Sequence, residues 1–176
     1  MTSYDENTRS DLAPIMEELG FAIHTCQVFE YSLNFLLSMI SEHRVPSQGE
    51  SFAATWDFHS LKPMGRLLNA LRKESNIPDA FDEFLSEGIR LRNFVVHDFF
   101  ETVGDRVSEP KERLRIIAEL KEVRNEIILR DKALEQLIDV LLKKYDLSTE
   151  SLKERAGEHY DWINYRTETR EPPKKQ

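Results

Sequence analysis

The sequence predicts an all-α fold, a helical bundle of four to five helices, and three features of the chain point to it. Apolar residues recur at helical spacing over long stretches, most clearly over residues 12–40 and 114–142. The 176 residues include only 6 glycines and 7 prolines. Glu, Lys, Arg and Leu dominate the remainder, and these residues favour helix over sheet.

Polar and charged residues at both ends of the chain predict where the folded part begins and ends. We expect a disordered leader over residues 1–9, a single domain over residues 10–165 and a disordered tail over residues 166–176. No apolar run approaches the roughly 20 residues that span a bilayer. The polar, acidic start of the chain is also unlike a signal peptide. We therefore expect a cytoplasmic protein with no membrane partner.

The charge balance limits how the protein can meet nucleic acid. The net charge is −8, which argues against a broad basic surface that coats DNA or RNA. A few arginines and lysines in a cleft can still outweigh a distant acidic surface, so a small local site stays open. The five histidines show no metal-binding spacing, and the chain has no glycine-rich phosphate loop. We expect neither a metal nor a cofactor.

The first helix is predicted to start at Ser10 or Asp11 and to run to about Glu42, with Pro14 in its first turn. A sustained apolar stripe supports it, formed by Leu12, Ile15, Leu19, Ile23, Cys26, Leu33, Leu37 and Ile40.

Two residues of that stripe differ from the rest. Cys26 is the only cysteine, which excludes an internal disulfide and a cysteine-based zinc cluster, so we expect a buried free thiol. Glu30 places a carboxylate among apolar neighbours, which is costly unless the carboxylate is paired. Its partner would be Arg92 or His97; alternatively, Glu30 lies at the edge of the stripe and reaches water.

The next part of the chain offers two weaker candidate sites. Residues 43–59 break the helical period and are predicted to form a connection. Its aromatic segment 52–58 either forms a satellite of the core or, with His59, stacks on bases. A helix is predicted over residues 61–74. Its basic residues form either a solvated face or an edge that faces phosphate: Lys62, Arg66, Arg72 and Lys73.

Three further helices complete the prediction, and the last of them restarts with a cap at residues 148–151. One runs over residues 79–102 and ends at Gly104. The next is capped by Ser108, has Pro110 in its first turn and continues to about Tyr145. Its charged residues are assigned to an outer face, and its apolar period suits either coiled-coil or bundle packing.

The stretch from Arg90 to Phe100 interleaves charged, titratable and apolar side chains most tightly. On a helix of about 100° per residue it carries two apolar faces. The core face consists of Phe81, Phe84, Leu91, Val95 and Phe99. The second face consists of Ile89, Val96 and Phe100, edged by Arg92, Asn93 and His97. A second apolar face with polar edges needs its own partner, either another helix of the chain or a second copy of it.

The polar edge of that second face is the main candidate site. A permanent cation, an amide and an imidazole can together bind an anion and move protons near neutral pH. On a regular helix Arg92 and His97 lie about 140° apart. We therefore expect one helix to present them poorly as a cluster and a dimer seam to gather both edges. Gly88, earlier in this helix, would let another helix approach closely.

The string from Arg92 to His97 reads R-N-x-x-x-H. It resembles the signature of the HEPN superfamily (higher eukaryotes and prokaryotes nucleotide-binding domains): an arginine, four to six residues, then a histidine, often with a polar residue after the arginine. The resemblance implies a compact helical fold over residues 12–145 and metal-independent RNA cleavage by a homodimer. Arg92 would hold the scissile phosphate, His97 would act as general base or acid, and Asn93 would orient one of them.

The same resemblance implies partners and supporting residues. It implies a toxin or phage-defence component whose partners are RNA, a second copy and an antitoxin or regulatory protein. The second apolar face fits such a dimer independently of the resemblance: Ile89, Val96 and Phe100 would form the dimer seam. Glu30, through its pairing, is a candidate to support the catalytic groups without touching substrate. Toxins paired with a nucleotidyltransferase antitoxin have a modified tyrosine two residues after the histidine. Here that position is Phe99, so we do not expect nucleotidylation there.

Two other interpretations of the motif remain open. In one, the protein is a non-catalytic HEPN-like helical module for protein interaction or regulation. In the other, the two motif residues are structural: Arg92 pairs with Glu30, and His97 caps or packs. Only the catalytic interpretation requires both residues to line a cleft that solvent reaches.

Overall fold

The computed structural model describes residues 6–44 and 63–146, and every regular element in these ranges is helical, as the sequence predicts. The elements in chain order are α1 (Glu6–Arg44), α2 (Met64–Glu74), α3 (Asp79–Asn93), a π-helical turn (Phe94–Asp98), α4 (Phe99–Val103), a 3-10 turn (Gly104–Ser108) and α5 (Pro110–Lys144). The π-helical turn joins α3 to α4, so the described part has four or five helices depending on whether these two are counted as one.

Several predictions lie outside the described residues. They concern the aromatic segment 52–58 with His59, Lys62, a further helix expected from Ser148, and the tail over residues 166–176. Where described, the predicted helices over 61–74 and 79–102 correspond to α2 and to the segment from α3 to α4. No helix of the described residues combines the length and apolarity needed to cross a bilayer.

The start of α1 differs from the prediction. The helix begins at Glu6, so residues 6–9 are helical rather than part of a leader, and Pro14 lies inside the helix instead of in its first turn. Asp11 does not cap α1, because its Oδ2 atom lies 2.7 Å from Nη1 of Arg113 in α5. The side chain that was expected to cap the start of the helix instead ties the helix to α5.

The chain divides into two compact units. Unit 1 comprises Met1–Glu30 and Ile77–Lys132, and unit 2 comprises Tyr31–Asn76 and Ala133–Gln176. The first parts of α1 and α5 therefore belong to unit 1 and their remainders to unit 2. The single domain expected over residues 10–165 stays a prediction.

Unit 1 is a bundle in which α1 and α5 run in the same direction. Asp11 pairs with Arg113, and further along both helices Glu18 pairs with Arg124. The segment from α3 to α4 runs the opposite way, because Phe84 near its start meets Arg130 late in α5. The core is formed by Ile15, Leu19, Ala22, Cys26, Phe29, Leu85, Leu91, Val95, Phe99, Val103, Ile116, Leu120 and Ile127.

Gly88 lies where α3 packs closely against Phe29 of α1 and Arg130 of α5. A Cβ atom at this position would lie 2.7 Å from Cδ of Arg130 and 2.8 Å from Cζ of Phe29. Such distances are too short for any side chain, so only glycine lets these residues pack against the backbone of α3. The expectation that Gly88 allows close helix approach is confirmed.

Unit 2 buries α1 differently from unit 1. All residues of α1 from 32 to 39 are buried, whereas the earlier part of the helix buries one stripe. A helix buried on every side is enclosed by its neighbours. The described core of unit 2 is formed by Leu33, Phe35, Leu36, Leu37, Met39, Met64, Leu67, Leu68, Leu71, Leu134 and Ile138.

The junction between α4 and α5 corrects one predicted cap. Gly104 has a φ of +25°, a backbone conformation that favours glycine, and it ends α4 where predicted. Ser108 does not cap α5, because its Oγ donates to the backbone oxygen of Asp105 at 2.6 Å. Glu109 takes the cap position, since its carbonyl accepts hydrogen bonds from the amides of Glu112 and Arg113.

Candidate functional site at the π-helical turn

The π-helical turn brings together the two residues that a regular helix would hold apart. Its backbone closes between residues five apart rather than four, so Arg92 and His97 come to lie one above the other. Nη1 of Arg92 lies 2.9 Å from Nε2 of His97. The expectation that one helix presents these groups poorly as a cluster is therefore wrong, because it assumed a regular α-helix throughout.

The buried residues explain why the turn widens here. Leu91, Val95, Phe99 and Val103 follow one another at intervals of four and are all buried. In a regular α-helix each step of four drifts by about 40° around the axis, which would carry Val103 away from the core face. The extra residue in the π-helical turn takes up this drift. The same adjustment aligns Arg92 with His97.

Arg92 contacts three acceptors of its own chain. Nη1 donates to Oδ1 of Asn93 at 3.2 Å as well as facing His97. Nη2 donates to both carboxylate oxygens of Glu30 in α1, each at 3.3 Å. Of the alternatives open for Glu30, the structure shows the pair with Arg92. The side chains of Arg92 and Glu30 are 18% and 28% exposed, so the pair is partly screened from water.

A count of donors shows that both terminal nitrogens of Arg92 are engaged. Arginine has five N–H groups: one on Nε and two on each terminal nitrogen. Nη1 serves two acceptors and Nη2 contacts two carboxylate oxygens. The remaining donor, Nε, is buried and has no hydrogen-bond partner. An incoming anion must therefore displace one of the acceptors already present.

The contact with Arg92 also fixes where the proton of His97 resides. A guanidinium has donors and no acceptor, so Nε2 of His97 must be the acceptor in this hydrogen bond. In the neutral ring, the hydrogen is then on Nδ1. His97 and Asn93 are both exposed, so they form the side of the cluster that faces solvent.

Cys26 lies one helical turn before Glu30 and is a free, buried cysteine, as expected. Burial raises the pKa of its thiol to about 12; the charge of Arg92 opposes this rise and that of Glu30 adds to it. At neutral pH the thiol is protonated, so Cys26 packs in the core and is no nucleophile. Among the described residues, no three His, Cys, Asp or Glu side chains converge in a way that could hold a metal ion.

The second apolar face lies beside this cluster. Val96 is 39% exposed and Phe100 is 56% exposed, while Ile89 is half-buried. Phe100 packs edge-on against the buried Phe99, with ring centroids 5.1 Å apart. Of the predicted core face, Leu91, Val95 and Phe99 are buried, whereas Phe81 and Phe84 are half-buried. The predicted division into two apolar faces is therefore present from Leu91 to Phe100 and incomplete earlier in α3.

Comparison with known proteins identifies no relative of this chain. No known protein family, no curated protein and no solved structure matches the chain. The likeness to the HEPN signature is thus confined to the string from Arg92 to His97.

Proposed function

We propose that this protein is a metal-independent, HEPN-like ribonuclease, acting as a toxin or phage-defence component, in which Arg92, His97 and Asn93 are the catalytic residues. One observation carries the proposal: the 2.9 Å contact between Nη1 of Arg92 and Nε2 of His97 across the π-helical turn. It joins a permanent cation to a group that can accept and donate a proton, at an exposed position on the helix.

The proposed reaction needs these groups in defined roles. Nε2 of His97 takes the proton of a ribose 2′-hydroxyl, and the 2′-oxygen forms a bond to the adjacent phosphorus. The bond from phosphorus to the 5′-oxygen breaks, and that oxygen takes a proton from a second imidazole or from water. Arg92 holds the non-bridging oxygens, where negative charge develops. The products are a 2′,3′-cyclic phosphate end and a free 5′-hydroxyl end.

A second copy of the chain would complete the proposed site. Val96 and Phe100 are apolar, exposed and adjacent to His97, and burying them against the same face of another copy removes both from water. The dimer brings two copies of His97 together, one to accept a proton and one to donate it. The net charge of −8 argues against a broad RNA-binding surface, so the proposed RNA contact is confined to this local site.

Cleavage of RNA by the purified protein in excess EDTA tests the reaction. The wild type should cleave, and His97→Ala should lower the rate by roughly 10²–10⁴-fold, the usual contribution of a general acid or base. Arg92→Ala should do the same. Arg90→Ala is the matched control, because Arg90 lies on the same helix but pairs with Glu87. Cleavage that survives in His97→Ala, or that EDTA abolishes in the wild type, contradicts the proposal.

The oligomeric mass tests the dimer separately. Val96→Asp should convert a dimer to a monomer in light scattering, because it places a charge in an apolar seam. Leu129→Asp is the control: Leu129 is 53% exposed but lies on α5. A monomeric wild type, or a Val96→Asp variant of unchanged mass, removes the second copy from the mechanism.

A non-catalytic helical module is the second candidate, favoured by the engagement of Arg92 with acceptors of its own chain. In that case the pair with Glu30 is structural, and the exposed face of Val96 and Phe100 binds another protein. This candidate predicts no cleavage of RNA by the wild type in EDTA.

A further inference from the structure

The groups proposed to cleave RNA are engaged with each other in this structure. Nε2 of His97 accepts a hydrogen bond from Arg92, so it cannot at the same time accept a proton from a ribose hydroxyl. The terminal nitrogens of Arg92 serve three acceptors, so they cannot bind a phosphate without releasing one. The structure is therefore a resting arrangement, and the reaction must begin with an exchange of acceptors on Arg92.

The two sides of the guanidinium differ in how readily they exchange. Glu30 is an anion, 28% exposed, and its removal from Arg92 would leave a half-buried carboxylate without its cation, which is costly. His97 and Asn93 are neutral acceptors on the exposed side, and water can hydrate both once they are released. The least costly exchange therefore takes place on Nη1 and leaves Nη2 with Glu30.

We propose that the phosphate of the substrate replaces His97 on Nη1 of Arg92, while Glu30 keeps Nη2 in place, so that phosphate binding itself frees Nε2 of His97. The inference rests on the proposed function, because it takes the phosphate to be that of RNA. Glu30 is then a positioning residue, and Arg92 is a latch that holds His97 until substrate arrives. His97 would be released as a base only when a phosphodiester is bound beside it.

The tautomer of His97 reports this exchange without any cleavage. Two-bond ¹H–¹⁵N correlation spectra distinguish a ring protonated at Nδ1 from one protonated at Nε2. At a pH where the ring is neutral, the wild type should show an unprotonated Nε2. In Arg92→Ala the ring should change to the Nε2–H form, which a solvated imidazole favours. Asn93→Ala is the matched control and should keep the wild-type form, because His97 does not depend on the amide.

Inorganic phosphate then serves as the probe. Added to the wild type, it should move the His97 signals toward those of Arg92→Ala; chloride at equal ionic strength should not, and neither should phosphate added to Arg92→Ala. Three results would overturn the inference: an Nε2–H ring in the free wild type, phosphate that shifts the Arg92 signals but leaves His97 unchanged, and no response of either residue.

The two proposals can fail independently. Phosphate-dependent release of His97 without RNA cleavage leaves the exchange standing and removes the ribonuclease. Cleavage that depends on His97, with a tautomer that phosphate does not change, leaves the ribonuclease and removes the latch.

Discussion

Two arginines of unit 1 show how the same side chain can lock a fold or stay ready to exchange partners. Arg130 is 6% exposed and stacks over the ring of Phe84, 4.7 Å from the centroid. It donates to the backbone oxygen of Phe84 at 2.9 Å and to that of Glu126 at 2.7 Å. Arg92 has only side-chain acceptors, and two of its three partners lie at 3.2–3.3 Å.

The difference lies in what the partners can do. A backbone oxygen within a helix cannot move away from Arg130 without unwinding the helix. The amide, the imidazole and the carboxylate around Arg92 can each rotate about side-chain bonds. Hydrogen bonds to backbone oxygens therefore identify Arg130 as structural, whereas contacts to rotatable side chains leave Arg92 free to take another partner.

Replacing each arginine by alanine should give the largest difference in stability between the two sites. Arg130→Ala should lower the free energy of unfolding by about 2–4 kcal/mol, because it empties a packed position and removes buried hydrogen bonds. Arg92→Ala should lower it by about 0.5–1.5 kcal/mol, because its pair with Glu30 is partly exposed. Urea denaturation measures both. Equal losses would contradict the assignment of different roles.

Substitutions at two glycines test the packing around Arg130. Gly88→Ala should destabilise the protein by about 1–3 kcal/mol, because the new Cβ would overlap Arg130 and Phe29. Gly20→Ala is the control: it has nothing within 4 Å of the new atom and should stabilise by about 0.5–1 kcal/mol through helix propensity. Thermal unfolding of both variants is the measurement. A stabilised Gly88→Ala would show that Arg130 can move aside.

Neutralising one carboxylate beside each arginine tests the same difference through smaller changes in the free energy of unfolding. Glu30→Gln should lower the free energy of unfolding by about 0.5–1 kcal/mol at low salt and by less at high salt, where charges are screened. Glu126→Gln should cost about 0–0.5 kcal/mol, because Glu126 is 54% exposed and Arg130 keeps its backbone acceptors. Urea titrations at two salt concentrations check both. A loss for Glu30→Gln that salt does not change would point to packing instead of charge.

The all-helical fold, and which helix faces are buried, could largely be predicted from the spacing of hydrophobic residues. Burial of Leu91, Val95 and Phe99 and exposure of Val96 and Phe100 follow from their positions on a helical wheel. These residues share faces in any helical backbone, so small errors in geometry do not matter. Residue types also indicated Gly104 as the end of a helix, because its positive φ suits glycine.

The contact between Arg92 and His97 could not be predicted from the spacing of residues on a regular helix. A helical wheel assumes a constant angle per residue, and the π-helical turn breaks that assumption over Phe94–Asp98. One signal was present: Leu91, Val95, Phe99 and Val103 repeat at intervals of four without an interval of three. A regular helix cannot keep such a run on one face, so the run itself indicates a wider turn.

Arg130 was assigned to the outer face of α5 together with the other charged residues of that helix. Only its three-dimensional partners, Gly88 and Phe84, show that it is buried. Sequence could propose Arg92 or His97 as the partner of Glu30, but not choose between them. The choice depends on how α1 and α3 are aligned, and residue spacing within one helix carries no information about that alignment.

The buried thiol of Cys26 can be used to measure how often unit 1 opens. Burial raises the pKa of this thiol to about 12 and leaves the residue 1% exposed, so reagents for thiols cannot reach it in the folded state. Labelling must then wait for unit 1 to open around Cys26. Because the chain has 1 cysteine, the rate at which a single label appears measures that opening directly.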